Sequence, residues 1–323
     1  MQKTVAVIRG GVGAEHDVSL KTGAAVLQQL AHSFSEQYKT RDIFIDKGGE
    51  WFVRGVPASP EKSLTGVDVV WNALHGEYGE DGGVQRVLER IGVPYTGSRT
   101  YASSVAMNKV LTKKTLESMG VKTPYGITLS VSDTLDREIL HAFRHFPQPS
   151  VIKPVSAGSS VGVTLAKNFF EFQTGVKNAF QFSPQILIEE YIPGKEATVG
   201  VVEGLRGEPV YRLPPVEIVL PAQSTFFDYE TKYNPRTIER CPGSFSDRES
   251  AELKSLAAVS HSALGLRHYS RSDFIVSPRG IYFLEVNTLP DLRDISLFSV
   301  ALGSVGVNMS EFIEHILKLV YEK

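Results

Sequence analysis

The C-terminal third of the chain contains the run RSDFIVSPRGIYFLEVNT at residues 271–288. Its two apolar segments, FIV and IYFL, are rich in residues that favour strands, and the SPRG between them is a turn signal. The pattern therefore predicts a β-hairpin. Glu285 and Asn287 are two residues apart and face the same side of their strand, close to Asp273 on the other strand.

Asp273, Glu285 and Asn287 together form a set of oxygen ligands. Two carboxylates and an amide carbonyl suit a hard cation, Mg²⁺ rather than Zn²⁺, and Mg²⁺ with few protein ligands usually completes its shell with phosphate oxygens. Arg271 adds a fixed positive charge beside the set. The alternative is an edge hairpin with solvated acids. Glu285 argues against it, because it interrupts an otherwise buried-looking apolar run, where an unpaired carboxylate is costly.

The composition indicates an ordinary globular protein. The chain has 323 residues, enough for two or three domains, with 42% hydrophobic and 22% charged residues. A formal net charge of −2 gives no electrostatic reason to expect nucleic acid as a partner. The single cysteine, Cys241, fits a reducing compartment, and no apolar run approaches the ~20 residues of a membrane span. We therefore expect a cytoplasmic protein with no membrane partner.

The N-terminal segment predicts an α/β layer. The run TVAVI at 4–8 is a short buried strand, GGVGAE at 10–15 is a glycine-rich turn, and a helix follows whose N-terminus favours anions. The turn is not a dinucleotide fingerprint, because His16 stands where a third glycine belongs. Glu15 and Ser19 lie at the helix start, where a simple capping role is an equally good interpretation.

A second glycine-rich loop follows the strand predicted at 67–74. It reads HGEYGEDGGVQ at residues 75–85, and its glycines let the backbone approach a ligand closely. Loops after the carboxyl ends of parallel strands are where open α/β sheets place ligands. His75 alone would be interpreted as a structural histidine, but its position in this loop favours a functional role.

Two motifs now make the family recognisable. HGxxGEDG from His75, with Gln85, resembles a signature of the D-alanine–D-alanine ligases of the ATP-grasp superfamily, and GGxxAExxVS from Gly10 is similar to their N-terminal signature. The resemblance covers nearly the whole chain. It implies an N-terminal parallel-sheet α/β domain at 1–104, followed by an ATP-grasp fold of two α+β subdomains at 105–193 and 194–323.

The resemblance implies ATP and Mg²⁺ as cofactors, with two metal ions and Mn²⁺ as a possible substitute. Asp273, Glu285 and Asn287 match the family's metal ligands. The positions matching its ATP ligands are Lys109, Lys153, Glu189, Tyr191, Ile192, Glu196 and Lys232. By this match the lysines contact phosphates, Glu189 and the backbone of residues 191–192 contact adenine, and Glu196 holds the ribose. Without the family, Lys109 would be an exposed lysine on a helix predicted over 103–119.

The reaction implied by the resemblance joins two D-alanines through an acyl phosphate, for peptidoglycan precursor synthesis. The matching catalytic positions are Glu15, Ser159, Tyr233, Arg271 and Ser296, and the matching substrate contacts are His75, Asp291 and Leu297. Residues 224–234 match the family's active-site lid. The resemblance also implies a homodimer formed through the N-terminal domain.

The segment after Asn287 departs from the family pattern. Relatives usually have glycine where this chain has Asp291 and threonine where it has Arg293. Asp291 brings a negative charge towards a carboxylate substrate, and Arg293 can offset it. The choice of second substrate is therefore open, and a related ligase for another amino acid or a hydroxy acid is the first alternative. An ATP-binding module without catalysis and a nicotinamide oxidoreductase are the others. The intact metal set argues against the former and the missing glycine against the latter.

Overall fold

A computed structural model describes residues 2–158, 160–219 and 238–321, and they contain three β-sheets. The first sheet has the strand order β4-β3-β2-β1-β5. Its strands are β1 (Lys3–Gly10), β2 (Tyr38–Ile45), β3 (Trp51–Val53), β4 (Val56–Pro57) and β5 (Val69–Asn72). β1 runs parallel to β2 and β5, as predicted, whereas β3 and β4 add an antiparallel edge that the sequence analysis missed. Both strands are too short for their pattern to stand out.

Both faces of the first sheet are covered, which explains the unbroken apolar run of β1. Val5 and Trp71 point into a core that also contains Phe312 from the C-terminal end of the chain. Ala6 and Ile8, which alternate with Val5 along the strand, point into a second core on the opposite face. The first sheet is therefore packed against the last part of the chain, and these two parts share one hydrophobic core.

Five helices lie in the described part of the first 120 residues. They connect the strands of the first sheet and lead from that sheet to the second one. They are α1 (His16–Ser33), α2 (Pro60–Ser63), α3 (Gly83–Ile91), α4 (Thr100–Met107) and α5 (Lys109–Ser118). The single helix predicted over 103–119 was wrong, because Asn108 has an extended backbone (φ −87°, ψ 100°) and separates α4 from α5. Its side chain accepts a hydrogen bond from Leu111 N at 3.0 Å and caps α5.

The second sheet is antiparallel, with the order β6-β9-β7-β8. It comprises β6 (Gly126–Ser130), β7 (Ser150–Pro154), β8 (Thr164–Ala166) and β9 (Gln185–Glu190), and it packs against α6 (Leu135–His145) and α7 (Phe169–Ala179). Phe172 is fully buried between them, with Phe169 and Phe180 packed around it. The three phenylalanines thus belong to a core and not to a ligand site.

Among the described residues, the third sheet has six strands and is also antiparallel. They are β10 (Lys195–Glu203), β11 (Val210–Arg212), β12 (Val216–Val219), β13 (Ile238–Arg240), β14 (Tyr269–Ser277) and β15 (Gly280–Asn287). A 3₁₀ turn at Leu205–Gly207 and helices α8 (Asp247–Ala263), α9 (Leu297–Ser304) and α10 (Met309–Tyr321) complete this part. No helix in the described ranges combines the length and apolar character needed to cross a membrane.

The predicted hairpin is formed by β14 and β15, and it contains a β-bulge. Asp273 pairs with Glu285, but Phe274 pairs with Phe283, so that Leu284 is the extra residue. The bulge was not predicted from the sequence. It sets Asp273 directly opposite Glu285, and Arg271 directly opposite Asn287.

Candidate active site

A cavity of about 310 Å³ separates the second sheet from the third. Its walls include most of the described residues that the sequence analysis assigned to ATP and metal: Lys109, Lys153, Glu189, Tyr191, Ile192, Glu196, Asp273 and Glu285. Arg271, which was assigned to catalysis, lies in the same walls. Leu297 lines the same cavity. The structure therefore brings together side chains that are far apart in the sequence.

The acidic wall of the cavity comes from the hairpin. The guanidinium of Arg271 donates from Nε and Nη2 to the two carboxylate oxygens of Asp273, both at 3.1 Å, and Asn287 Nδ2 donates to Asp273 Oδ2 at 3.2 Å. Burial lowers the pKa of Arg271, but the charge and hydrogen bonds of Asp273 outweigh it and raise the pKa overall. The opposed carboxylates of Asp273 and Glu285 would repel each other without such cations.

The chemistry of this donor set fits a magnesium ion. Asp273, Glu285 and Asn287 offer hard oxygen atoms at the end of one hairpin, the type of ligand that Mg²⁺ prefers. Within the ranges that the structure describes, no group of three or more histidine, cysteine, aspartate or glutamate side chains could hold a metal ion. A metal at the hairpin would therefore have two carboxylates and one amide, and would need further oxygens from a phosphate-bearing ligand.

The basic wall of the cavity contains the buried lysines Lys109 and Lys153, and a third buried lysine, Lys113, contacts Glu189 of the same wall. Lys153 Nζ lies 2.6 Å from Glu189 Oε2, and Lys113 contacts the other oxygen of this carboxylate. Burial and the neighbouring lysine charges lower the pKa of Lys113 well below its ordinary value. Burial, opposed by the charge of Glu285, lowers the pKa of Lys153 to about 8. Lys109 Nζ donates to Ala157 O at 2.6 Å and lies 3.2 Å from Glu285 Oε2.

Lys113 is a candidate site residue that the sequence analysis did not assign. It lies four residues after Lys109 on α5, so the two side chains occupy the same face of the helix. That spacing was the available signal. Lys109 N also donates to Val155 O at 3.0 Å, which fixes the start of α5 against the loop after β7.

Glu15 lies where three distant loops meet. A Cβ atom added to Gly76 or Gly158 would come within 2.2 Å or 2.6 Å of Glu15 Oε2, so both glycines pack their backbone against this carboxylate. Glu15 occupies the N-cap position of α1 without a side-chain capping bond. Ser19 Oγ accepts from Gly10 N and donates to Ala73 O, and so links β1 with the loop after β5. Neither residue is a simple cap.

Glu80 connects the first sheet with the hairpin, a role that the sequence analysis missed. Its Oε1 accepts from Thr288 N, Thr288 Oγ1 and Leu289 N, at 2.9, 3.2 and 2.8 Å, and Oε2 accepts from Gly76 N at 2.9 Å. Burial and the charge of Glu15 raise the pKa of Glu80 above its ordinary value. The end of β15 is thereby held against the loop that contains His75.

Asp291 does pair with Arg293, as the sequence analysis anticipated. Its Oδ2 accepts from Arg293 Nε at 2.7 Å and its Oδ1 from Arg293 N at 3.0 Å. Thr22 Oγ1 donates to Oδ1 of the same carboxylate at 3.0 Å and lies 2.8 Å from His75 Nε2. Burial favours the neutral acid, but the hydrogen bonds and the charge of Arg293 outweigh it and keep the pKa of Asp291 below its ordinary value.

Ser296 is the N-cap of α9. Its hydroxyl donates to Asp291 O at 2.6 Å, and its oxygen accepts from Ser299 N at 3.4 Å. A bound carboxylate would have to replace the bond to Asp291 O, so the assigned substrate contact of Ser296 stays a prediction. The assignments of Ser159, Lys232 and Tyr233, and of the lid at 224–234, lie outside the described residues.

A parallel-stranded first sheet, followed by two antiparallel sheets that face each other across a cavity lined by lysines and acids, defines the ATP-grasp class. The predicted fold class is therefore confirmed. The sequence pattern described as the N-terminus of D-Ala–D-Ala ligase matches residues 54–98, and the pattern described as its C-terminus matches residues 115–318.

Known proteins resemble this chain over its full length. It is 37% identical to a D-alanine–D-alanine ligase of Syntrophotalea carbinolica, over 98% of this chain and 95% of the relative, and 38% identical to one of Geotalea uraniireducens, over 98% and 94%. A solved D-alanyl-alanine synthetase A of Vibrio cholerae superposes with a TM-score of 0.86 at 26% identity, covering 100% and 99% of the two chains. The VanG D-Ala:D-Ser ligase of Enterococcus faecalis superposes with a TM-score of 0.85 at 26% identity, covering 99% and 100%. The chain belongs to the D-alanine–D-alanine ligase family.

Proposed function

We propose that this protein uses ATP to join two D-alanines into D-alanyl-D-alanine, in the synthesis of peptidoglycan precursors. The observation that carries the proposal is the cavity between the second and third sheets, whose opposite walls hold the buried lysines of α5 and β7 and the acids of the hairpin. The lysines suit the phosphates of a nucleotide, and the acids suit the metal ion that the phosphates would bring with them. A carboxylate substrate would bind next to these phosphates. Full-length similarity to D-alanine–D-alanine ligases supports the choice of substrate.

The nucleotide would lie between the second and third sheets. Lys109 and Lys153 carry the charge that neutralises its phosphates, and Glu189 and Glu196 would accept from the adenine amino group and the ribose hydroxyls. Tyr191 N already donates to Pro149 O at 3.2 Å, so contacts to the adenine edge would come from the Tyr191 carbonyl and the Ile192 N–H. Lys153 would have to exchange Glu189 for a phosphate.

The Mg²⁺ would be held by Asp273, Glu285 and Asn287. We further expect that two metal ions bind here and that Mn²⁺ can substitute for Mg²⁺. When bound, the metal would neutralise phosphate charge and orient the phosphates. Glu285 is within reach of Lys109, and Asp273 of Arg271, so each carboxylate has a cation beside it.

The first D-alanine would bind beside Glu15, whose carboxylate would pair with its ammonium, and His75 would lie next to it. Its carboxylate would attack the γ-phosphate and form an acyl phosphate with release of ADP. The amine of the second D-alanine would then attack the acyl carbon and displace phosphate. Arg271 would stabilise the oxyanion formed in that step. Ser296, Leu297 and Asp291 would contact the second substrate, and Ser159, Tyr233 and Lys232 keep the roles that the family match gave them.

Three further expectations belong to the same proposal. The division into domains at 1–104, 105–193 and 194–323 assigns one sheet to each unit. The chain would form a homodimer through the N-terminal unit, for which sedimentation should give a mass near twice 35.5 kDa. The protein would act in the cytoplasm, where its ATP is available.

The test is ADP release by the purified full-length chain with ATP and Mg²⁺. Parallel reactions contain D-alanine, D-serine, D-lactate, L-alanine or buffer alone, and the products are separated by mass. We expect ADP release that depends on D-alanine, with the dipeptide as product. ADP release without any amino acid, or a predominant D-alanyl-D-serine or ester product in mixtures with equal D-alanine, would contradict the proposal.

A further inference from the structure

A chain of three side chains connects the segment after the hairpin with the loop after β5. Asp291 Oδ1 accepts from Thr22 Oγ1 at 3.0 Å, and Thr22 Oγ1 lies 2.8 Å from His75 Nε2. Thr22 and His75 are buried, and Asp291 is partly buried. The contact between Thr22 and Asp291 spans 269 residues of sequence. In the family motif, position 291 is usually glycine, which has no side chain to bond Thr22.

Proton counting fixes the direction of each hydrogen bond. Three nitrogens of Arg293, its backbone N, Nε and Nη2, lie 2.6 to 3.0 Å from the carboxylate oxygens of Asp291 and keep this carboxylate ionised. An ionised carboxylate only accepts, so Thr22 must donate its single hydroxyl proton to Asp291. The oxygen of Thr22 can then only accept from His75, and Nε2 of His75 must carry a hydrogen.

We propose that Asp291 and Thr22 are positioning residues that hold His75 in its Nε2–H form and leave Nδ1 as the accepting nitrogen. Without this link, neutral imidazole can exchange between its two tautomers. With it, the nitrogen that is not bonded to Thr22 carries a lone pair, which accepts from an ammonium or hydroxyl and repels a carboxylate. Asp291 thus also acts on the site through His75, in addition to any contact of its own with the second substrate.

The consequence for substrate binding rests on the proposed function. His75 precedes Gly76, whose backbone packs on the Glu15 carboxylate. His75 is thus adjacent in the chain to the glycine that packs on this carboxylate, and an accepting nitrogen on His75 would favour the ammonium end of an amino acid at this part of the site. Loss of the link should therefore weaken the binding of D-alanine and leave the binding of ATP, in the neighbouring cavity, unchanged.

The tautomer is read directly from the full-length protein labelled with ¹⁵N-histidine. At pH about 8.5, above the reference imidazole pKa of about 6.5, the spectrum should show a pyrrole-type Nε2 and a pyridine-type Nδ1 for His75. His75→Gln identifies the signals. Thr22→Val and Asp291→Ala should each give averaged signals from both tautomers, and Thr22→Ser, which retains the hydroxyl, should restore the wild-type pattern.

Steady-state kinetics give a second reading. Thr22→Val should raise the KM for D-alanine about tenfold, the size expected for one lost hydrogen bond in a charged network, with the KM for ATP unchanged and Thr22→Ser close to wild type. A pyrrole-type Nδ1 in the wild-type protein, or unchanged histidine signals in both Thr22→Val and Asp291→Ala, would overturn the proposal. Failure of D-alanine to support ADP release would overturn the proposed function only, because the spectrum requires no turnover.

Discussion

At the scale of single residues, the most informative group is Lys153. It is buried against Glu189, and its pKa of about 8 lies below the reference value for lysine of about 10.4. Below pH 8 the folded protein therefore carries the full cost of a buried charge. That cost is relieved as the pH rises from 8 towards 10.4, because the folded state loses the proton before the unfolded state does.

The same shift predicts a pH dependence of catalysis. Only protonated Lys153 can neutralise a phosphate, so kcat/KM for ATP, measured at saturating D-alanine, should fall as the pH rises through about 8. Lys153→Arg is the matched control, because arginine stays charged throughout this range. Its absolute activity will be lower, but this limb of its profile should be absent. An identical limb in both proteins would assign the titration to another group.

Arg271 makes a separate prediction about the transition state. Its guanidinium is held rigidly by Asp273 and lines the cavity, so it suits charge that develops during the reaction. Arg271→Met should lower kcat by about 10²–10³, with a modest change in the KM for ATP, as for the loss of one oxyanion donor. A normal kcat with lost ATP binding would contradict this role. Thermal melting of the variant shows whether its fold is intact.

At the scale of elements, the bulged hairpin accounts for the arrangement of the acids. The sequence predicted the hairpin from its alternation and turn, and it predicted that Glu285 and Asn287 share a side. It did not predict the bulge, because the extra residue Leu284 is apolar like the residues that precede it in the strand and carries no signal of its own. The exact opposition of Asp273 and Glu285 depends on that residue.

Asp273→Asn and Glu285→Gln should each abolish turnover while the protein stays folded, because a hard cation needs charged oxygens. ADP release is measured against Mg²⁺ concentration, and Mn²⁺ binding in the presence of ATP gives a second readout. Ser272→Ala is the control. Ser272 stands between Arg271 and Asp273 in the sequence, but its side chain points to the opposite face of β14. Near-normal turnover at low millimolar Mg²⁺ in either acid variant would rule out the assigned metal site.

The break between α4 and α5 shows where helix periodicity misleads. The apolar pattern continues from one helix into the next, so residues 103–119 read as a single element. The only sign of the break in the sequence is Asn108, because asparagine favours the N-cap position of a helix. In the structure Asn108 is the N-cap of α5. Lys109 owes its position in the cavity to that cap and to the bond of its N–H with Val155 O.

At the scale of the whole molecule, the site depends on contacts that no local pattern encodes. The sequence motifs identified the family and most of the charged residues that line the cavity. They could not predict that Glu80 accepts from Thr288, or that Thr22 donates to Asp291, because these pairs are 208 and 269 residues apart. Lys113 was missed for a different reason. Lysines on helices are common and usually exposed, and Lys113 becomes buried only when α5 packs next to Glu189 of the second sheet.

Glu80→Gln tests the contact between the first sheet and the hairpin. Both oxygens of the Glu80 carboxylate accept hydrogen bonds, and the variant replaces one of them with an N–H₂ group, which cannot accept. At least one buried donor therefore loses its partner. We expect the free energy of unfolding in urea to fall by about 2 kcal/mol, together with a lower kcat. The control is Glu77→Gln, an exposed position in the same loop. Equal stabilities of both variants and the wild type would contradict the role of Glu80.

The bonds of Glu80 also have a consequence for how the protein is made. At roughly 5–20 residues per second, the 208 residues that separate Glu80 from Thr288 take on the order of 10–40 s to synthesise. Throughout that interval the newly made first sheet lacks both the helix that supplies Phe312 and the backbone donors that receive the Glu80 carboxylate. We therefore expect the nascent chain on the ribosome to expose an apolar sheet face and an unsatisfied acidic loop, and exposed apolar surface of this kind is what chaperones bind.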